Sequence, residues 1–131
     1  MRLLLDTHIW LWSLLEPVRL AADVREALLE PDNELWLSPI TIWEVLILVD
    51  KGRLSLDRPA EDWVANALET TSVREAPLNF QVALESQRVA LPHRDPADRF
   101  LAATARVFDL TLVTADERLL GLQSVALLPN H

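Results

Sequence analysis

The sequence lacks cysteine and contains only two glycines, Gly52 and Gly121. Without cysteine there is no disulfide scaffold, no thiolate zinc site and no cysteine nucleophile. Two isolated glycines provide neither a phosphate-binding P-loop nor a glycine-rich dinucleotide fingerprint. His8, His93 and His131 are too scattered to form a local histidine metal motif. The chemistry of this chain therefore has to come from other side chains.

Basic residues and long apolar runs are also scarce. The net charge of −8 argues against simple electrostatic binding to nucleic acid or to an anionic membrane. The apolar run Ile9 to Leu15 is far shorter than the roughly 20 residues that a membrane span needs. The start does not resemble a signal peptide, because only Arg2 is basic and Asp6 interrupts the apolar stretch. We therefore expect a cytoplasmic protein with no membrane association.

Strand-like and helix-like segments alternate along the 131 residues, which are 50% hydrophobic. This length and composition indicate a single globular domain over residues 1–131. The alternation favours an α/β fold of three layers, with a four- or five-stranded, mainly parallel sheet and helices on both faces. The predicted strands are 2–5, 34–37, 73–76, 110–113 and 124–128, and the predicted helices are 9–15, 21–30, 39–51, 60–69, 80–91, 95–108 and 116–120.

Four carboxylates stand near the carboxyl ends of the predicted strands. Asp6 ends the first strand, and Glu44 lies in the helix that follows the second. Asp98 lies in the first turn of the helix that opens at Asp95, and Asp116 shortly follows the fourth strand. Open parallel sheets bind ligands at this edge. We expect the four side chains to converge there.

Three of these carboxylates also have a purely structural interpretation. Asp6 and Asp116 are each placed to cap a helix. Asp98 follows Asp95 by three residues, which is the spacing of a capping box. Taken singly, each of the three is as well explained by a cap as by a functional site.

Glu44 is harder to explain by structure alone. Apart from one threonine, it is the only polar residue between positions 39 and 49. A helix that is apolar nearly all round is expected to be buried. An ionised carboxylate in a buried helix has to be paired, coordinated to a cation or neutralised.

A bound cation explains all four carboxylates together. Mg²⁺ and Mn²⁺ prefer oxygen ligands, usually a few carboxylates with water and substrate phosphate. Clustered carboxylates repel one another until a cation offsets their charge. The cation also activates water and stabilises charge that develops on a phosphodiester. The pattern therefore predicts a Mg²⁺ or Mn²⁺ site made of Asp6, Glu44, Asp98 and Asp116.

The four carboxylates lie within sequence motifs that occur in a fixed order. These are LLLDTH at 3–8, SPITIWE at 38–44, HRDPADR at 93–99 with AATA at 102–105, and LVTAD at 112–116. Together they resemble the PIN-domain family, and more narrowly the VapC-type toxins of bacterial toxin–antitoxin pairs. The resemblance covers nearly the whole chain.

The resemblance implies a metal-dependent endoribonuclease that acts on RNA, forms a homodimer and is held inactive by a small cognate antitoxin. Asp6, Glu44, Asp98 and Asp116 match the acidic residues of the family's site. Two further residues, Asp95 and Thr114, match motif positions close to the site. Asp95 is equally well placed to cap a helix.

One position departs from the family pattern. Many relatives carry a lysine four residues past the glutamate, and this chain has Leu48 there. Lys51 or Arg53 could replace that lysine in substrate binding.

Several other side chains have candidate roles near the site. Arg94 and Arg99 could neutralise a neighbouring aspartate or hold RNA phosphate, and Arg53 and Arg58 could extend a basic rim. His93 is a candidate general acid, because histidine side chains in general titrate near neutrality.

Aromatic residues near the site are expected to be mainly structural. His8 fits a packing role at the start of its helix better than a contact with substrate. Trp36 and Trp43 lie in segments that are expected to be buried. Trp10 and Trp12 face different sides of their helix, so one of them is expected to reach a surface.

Three other functions compete with the nuclease. A catalytically silent interaction module would share the fold. A receiver-type phosphorelay domain would need a lysine after a late strand, whereas the only lysine is Lys51. A haloacid-dehalogenase phosphatase would need a second aspartate at the position of His8.

Overall fold

The computed structural model describes residues 1–91, 95–122 and 124–131. The strands are β1 Arg2–Leu5, β2 Glu34–Leu37, β3 Val73–Glu75, β4 Thr111–Thr114 and β5 Leu127–Pro129. They form one sheet in the order β3-β2-β1-β4-β5, and every neighbouring pair is parallel. The predicted four- or five-stranded, mainly parallel sheet is therefore confirmed, with five strands.

Helices cover both faces of this sheet. They are α1 Thr7–Leu15, α2 Ala22–Leu29, α3 Pro39–Asp50, α4 Ala60–Thr70, α5 Phe80–Glu85, α6 Pro96–Phe108 and α7 Glu117–Leu120, with a 3₁₀ turn at Pro17–Arg19. Within the described parts of the chain, no helix is both long and apolar enough to cross a membrane.

Side chains along the buried strands point alternately to the two faces of the sheet, and this produces two apolar cores. Leu3 and Leu5 of β1 face one side and pack with residues of α1 to α4. Leu4 of β1 and Leu112 of β4 face the other side and pack with residues of α5 to α7. Successive strand side chains point to opposite faces, so an unbroken leucine run serves both cores. The three-layer prediction is confirmed.

The order in which strands are added to the sheet reverses at β1. The chain adds β2 and β3 on one side of β1 and then crosses to place β4 and β5 on the other. This order differs from the 2-1-3-4-5 order of receiver domains, and such a reversal opens a crevice at the carboxyl ends of the two strands that flank it. Leu5 of β1 pairs with Val113 of β4, so Asp6 and Asp116 follow adjacent strand ends.

The fifth helix is shorter than its sequence predicts. It ends at Glu85 rather than at residue 91. One guanidinium nitrogen of Arg99 donates to the backbone oxygens of Ser86 and Val89, both at 2.9 Å. The segment after α5 is therefore held by α6 instead of continuing as helix.

The prediction that α3 is buried nearly all round is wrong. Only Thr41 and Val45 of this helix are buried, and Trp43 is 54% exposed. Val45 packs into the core below, whereas Trp43 and Leu46 lie on the outward face. The helix ends as predicted, since Gly52 has a φ of +72°, a conformation that favours glycine after a helix.

Candidate active site

A pocket of about 390 Å³ opens at the carboxyl edge of the sheet, beside the ends of β1 and β4. It brings together the four predicted carboxylates and Asp95. Its lining consists of Asp6, Thr7, His8, Trp12, Arg19, Glu44, Asp95, Asp98, Ala115, Asp116 and Arg118.

Asp6 is held by bonds to both of its carboxylate oxygens. Oδ1 accepts a hydrogen bond from the backbone N–H of Thr7 at 2.8 Å, which caps α1. Oδ2 accepts one from the hydroxyl of Thr114 at 2.7 Å. The Thr114 hydroxyl also accepts from the backbone N–H of Asp116 at 3.0 Å. Thr114 thus links the two acidic residues that follow β1 and β4.

Glu44 is oriented by a residue of another helix. The hydroxyl of Thr7 donates to Glu44 Oε1 at 2.6 Å, and the hydroxyl of Thr41 lies 3.5 Å from that of Thr7. Thr7 was not singled out in the sequence as a site residue. The sequence feature that could have identified Thr7 is its hydroxyl, which comes immediately after Asp6 in the first turn of α1.

The remaining aspartates enter the pocket from helix starts. Asp95 caps α6 by accepting from the N–H of Ala97 at 3.0 Å, and Asp116 caps α7 by accepting from the N–H of Arg118 at 2.9 Å. Asp98, in the first turn of α6, is 6% exposed. Capping and pocket-lining are therefore not alternatives for Asp6, Asp95 and Asp116, because each of them does both.

A cationic side chain that sequence reasoning missed lies among these aspartates. Nη2 of Arg118 is 2.8 Å from Asp116 Oδ2, 3.4 Å from Asp98 Oδ2 and 3.9 Å from Asp95 Oδ2. The hydrogen bond and the negative charge of Asp116 raise the pKa of Arg118 above its ordinary value. The only sequence signal for this contact is the two-residue spacing from Asp116.

The other side of the pocket is aromatic. The guanidinium of Arg19 lies 4.2 Å from the centre of the Trp12 ring, and the rings of His8 and Trp12 are 5.7 Å apart. Trp10 is buried in the core and Trp12 reaches the pocket, as their spacing predicts. His8 packs against Trp12 but is exposed and lines the pocket as well.

Three predicted positions differ from their expectation or lie outside the described residues. Arg99 does not line the pocket; it binds the carbonyls of Ser86 and Val89, so the hypothesis that it holds RNA phosphate is not supported. His93 and Arg94 lie outside the described residues. Lys51 lies with Glu44 on a smaller adjoining groove.

Burial works against the ionised form of two pocket carboxylates. It raises the pKa of Asp6 above the ordinary value of 3.8, and the hydrogen bonds from Thr114 and Thr7 oppose that shift only in part. Burial also raises the pKa of Glu44 above 4.5, and the charges of neighbouring aspartates add to the effect. The protein surroundings therefore only partly stabilise the ionised forms of Asp6 and Glu44.

The raised pKa of Asp6 predicts a pH-dependent stability in the metal-free protein. Below pH 3.8, the pKa of Asp6 in the unfolded chain, the stability that the folded state gains from protonated Asp6 is fully present. This stability is lost as the pH rises through the raised pKa of Asp6 in the folded state. Asp6→Asn removes this loss but keeps an oxygen that can cap α1. Relative to wild type, the variant should gain unfolding free energy as the pH rises above the unfolded value of 3.8, measured by urea denaturation over a pH series with a chelator present.

The matched control is Asp62→Asn, a change of the same type on the exposed start of α4. Its stability should stay parallel to that of wild type over this pH range. Parallel curves for Asp6→Asn as well would show that Asp6 carries no unfavourable charge in the folded state.

The donor chemistry of the pocket fits a hard divalent cation. Its carboxylates supply the oxygen ligands that Mg²⁺ and Mn²⁺ prefer, and a cation would stabilise the ionised forms of Asp6 and Glu44. Within the described residues, no group of three or more His, Asp or Glu side chains is already arranged to hold a metal ion. Binding would therefore need side-chain movements that bring the carboxylate oxygens together.

Known proteins share both the sequence pattern and the fold. The family model described as PIN domain matches residues 3–124. Ribonuclease VapC22 of Mycobacterium tuberculosis is 36% identical over 119 residues, which cover 88% of each chain.

Solved structures share the fold at lower identity. A VapBC2 structure from Rickettsia felis, bound to a DNA fragment from the promoter, has a TM-score of 0.75 at 15% identity and covers 100% of both chains. A DNA-bound VapBC structure from Salmonella typhimurium has a TM-score of 0.72 at 18% identity and covers 98% of both chains. The family match spans most of the sequence, and the relative is similar over nearly its full length. The chain therefore belongs to the PIN domain family, among its VapC-type members.

Proposed function

We propose that this protein is a divalent-metal-dependent endoribonuclease that serves as the toxin of a type II toxin–antitoxin pair. The observation that carries the proposal is the pocket at the carboxyl edge of the sheet. Asp6, Glu44, Asp98 and Asp116 line it together, although they come from four separate segments of the chain. The similarity to a protein named as a ribonuclease supports the choice of RNA as substrate.

In this proposal Asp6, Asp98 and Asp116 hold Mg²⁺ or Mn²⁺, and Glu44 holds the metal or orients the attacking water. When bound, the cation lowers the pKa of water and offsets the negative charge that develops on the phosphodiester.

The chain's own contribution is to hold the carboxylates in place. Thr114 fixes one oxygen of Asp6, and Thr7 fixes one oxygen of Glu44. The Glu44 carboxylate lines the pocket and can accept a proton from the attacking water. No side chain has to form a covalent intermediate, since water attacks phosphorus and the bond to the ribose 3′ oxygen breaks.

The test is cleavage of single-stranded or looped RNA by the purified protein. Cleavage should stop with a chelator and return with excess Mn²⁺, because the carboxylates alone do not activate water. The products should carry 5′-phosphate and 3′-hydroxyl ends. Cyclic 2′,3′-phosphate ends would contradict hydrolysis by water, and a complete lack of cleavage with Mn²⁺ present would favour a catalytically silent interaction module.

A toxin of this type needs a cognate antitoxin, and the surface offers apolar area for one. Trp43 and Leu46 of α3 and Leu14 and Leu15 of α1 are large exposed apolar side chains, of the kind that a partner helix covers. An arginine or lysine of the antitoxin could enter the acidic pocket and block it. We also propose that the toxin is a homodimer in which each subunit holds one antitoxin.

A further inference from the structure

Arg118 makes a contact that the proposed reaction does not use. Its Nη2 lies within 4 Å of a carboxylate oxygen on each of three aspartates, at 2.8 Å from Asp116, 3.4 Å from Asp98 and 3.9 Å from Asp95. Its Nε also lies 3.2 Å from Oδ1 of Asp116. The guanidinium is therefore anchored on Asp116 and extends across the mouth of the pocket toward α6.

The guanidinium lies among the carboxylates that a cation would need. Charge-assisted bonds from an arginine fork neutralise clustered carboxylates, as a divalent metal does with oxygen ligands. Oδ2 of Asp98 and Oδ2 of Asp116 are among the oxygens that the proposed metal would need. A guanidinium and a divalent cation repel each other, so each weakens the binding of the other to these oxygens.

The Arg118 side chain is largely exposed to solvent. Arg118 is 56% exposed at its side chain, whereas Asp98 is 9% exposed at its side chain. Arg118 belongs to the four-residue helix α7 at the rim of the pocket, so rotation about its side-chain bonds can carry the guanidinium into solvent without moving the backbone.

We propose that Arg118 is an internal counter-cation: in the metal-free protein its guanidinium occupies the cation position between Asp98 and Asp116, and it leaves this position when the metal binds. This inference rests on the proposed metal dependence. It has two consequences. Arg118 stabilises the acidic pocket before metal arrives, and it weakens metal binding because the ion has to displace it.

The test is the dissociation constant for Mn²⁺, measured by titration calorimetry on the intact protein without RNA. Arg118→Gln removes the charge, and Arg118→Lys keeps the charge but loses the planar fork. Arg88→Gln is the matched control, because Arg88 pairs with Glu85 on the surface and does not line the pocket. Arg118→Gln should bind Mn²⁺ about tenfold more tightly than wild type, Arg118→Lys should lie between them, and Arg88→Gln should match wild type.

A second readout is thermal stability in the presence of a chelator. Arg118→Gln should melt at a lower temperature than Arg88→Gln, and saturating Mn²⁺ should raise its melting temperature by more than that of wild type. A role confined to the ion pair with Asp116 would lower stability without tightening Mn²⁺ binding.

The outcomes separate this inference from the proposed function. Equal Mn²⁺ affinity in wild type and Arg118→Gln would overturn the role of Arg118 and leave the metal site intact. Weaker binding in Arg118→Gln would mean that Arg118 supports the metal site, and would also overturn the proposal. Failure of both proteins to bind Mn²⁺ would reject the metal dependence and this inference together.

Discussion

Glu44→Gln is expected to lower the rate of RNA cleavage by about 10²–10⁴-fold, the range that a positioned acid–base group typically contributes. Glutamine has nearly the same size and keeps an oxygen that can accept from the Thr7 hydroxyl, which now donates to Glu44 Oε1 at 2.6 Å. It cannot take a proton from water or carry the negative charge that a cation needs. Single-turnover cleavage of a labelled RNA with saturating Mn²⁺ measures the effect.

The control is Glu26→Gln, the same substitution on the exposed side of α2. It should cleave at the wild-type rate, and both variants should unfold as cooperatively as wild type. A Glu44→Gln variant with near wild-type activity would show that Glu44 is a structural partner of Thr7, and that the reaction depends on the aspartates alone.

The second large effect is expected in cells. Expression of the wild-type protein alone in a bacterial host should arrest growth, because an unrestrained endoribonuclease degrades RNA that the cell needs. Asp6→Ala should abolish the arrest, since it removes a carboxylate bonded to Thr7 and Thr114 at the centre of the pocket. Growth curves and viable counts after induction measure both results.

Co-expression of a small gene adjacent to the toxin gene should restore growth, and its product should co-purify with the wild-type protein. Asp62→Ala, on the exposed start of α4, serves as the control and should remain toxic. Harmless expression of wild-type protein in several hosts and media would reject the toxin role, even if the purified protein cleaves RNA.

The sheet and the position of the pocket were predictable because both depend on pattern. Short apolar runs that end at an aspartate, as Leu3 to Leu5 end at Asp6, predict buried parallel strands with polar residues at one edge. The alternation of strands and helices then places the polar residues after β1 and β4 at the same edge. Neither inference requires knowledge of how a particular side chain is oriented.

Glu44 lines the pocket, although the burial predicted for its helix is wrong. Its helix is apolar nearly all round, and this composition predicted complete burial, yet Trp43 is 54% exposed. An apolar helix surface indicates that another surface covers it, but it does not indicate whether that surface belongs to the same chain or to another protein. Glu44 faces the pocket because of its direction on α3, which composition does not encode.

The two arginines could not be assigned from sequence for a related reason. Arg99 and Arg118 both lie close to an aspartate of the pocket in sequence. Arg99 donates to backbone carbonyls of the segment after α5. The Arg118 guanidinium instead lies near Asp98 at the opening of the pocket. Long side chains at helix starts reach several positions, and the packing of neighbouring segments decides among them.

The most direct test of the metal site is a crystal structure of the protein with Mn²⁺, solved with anomalous diffraction data. We expect an anomalous peak between Asp6, Asp98 and Asp116, with carboxylate oxygens at about 2.1 Å, the distance usual for Mg²⁺-type sites. The Arg118 guanidinium should have moved away from Asp98. A structure at saturating Mn²⁺ that shows no peak in this pocket, with Arg118 still bound to Asp98 and Asp116, would contradict the metal-dependent mechanism.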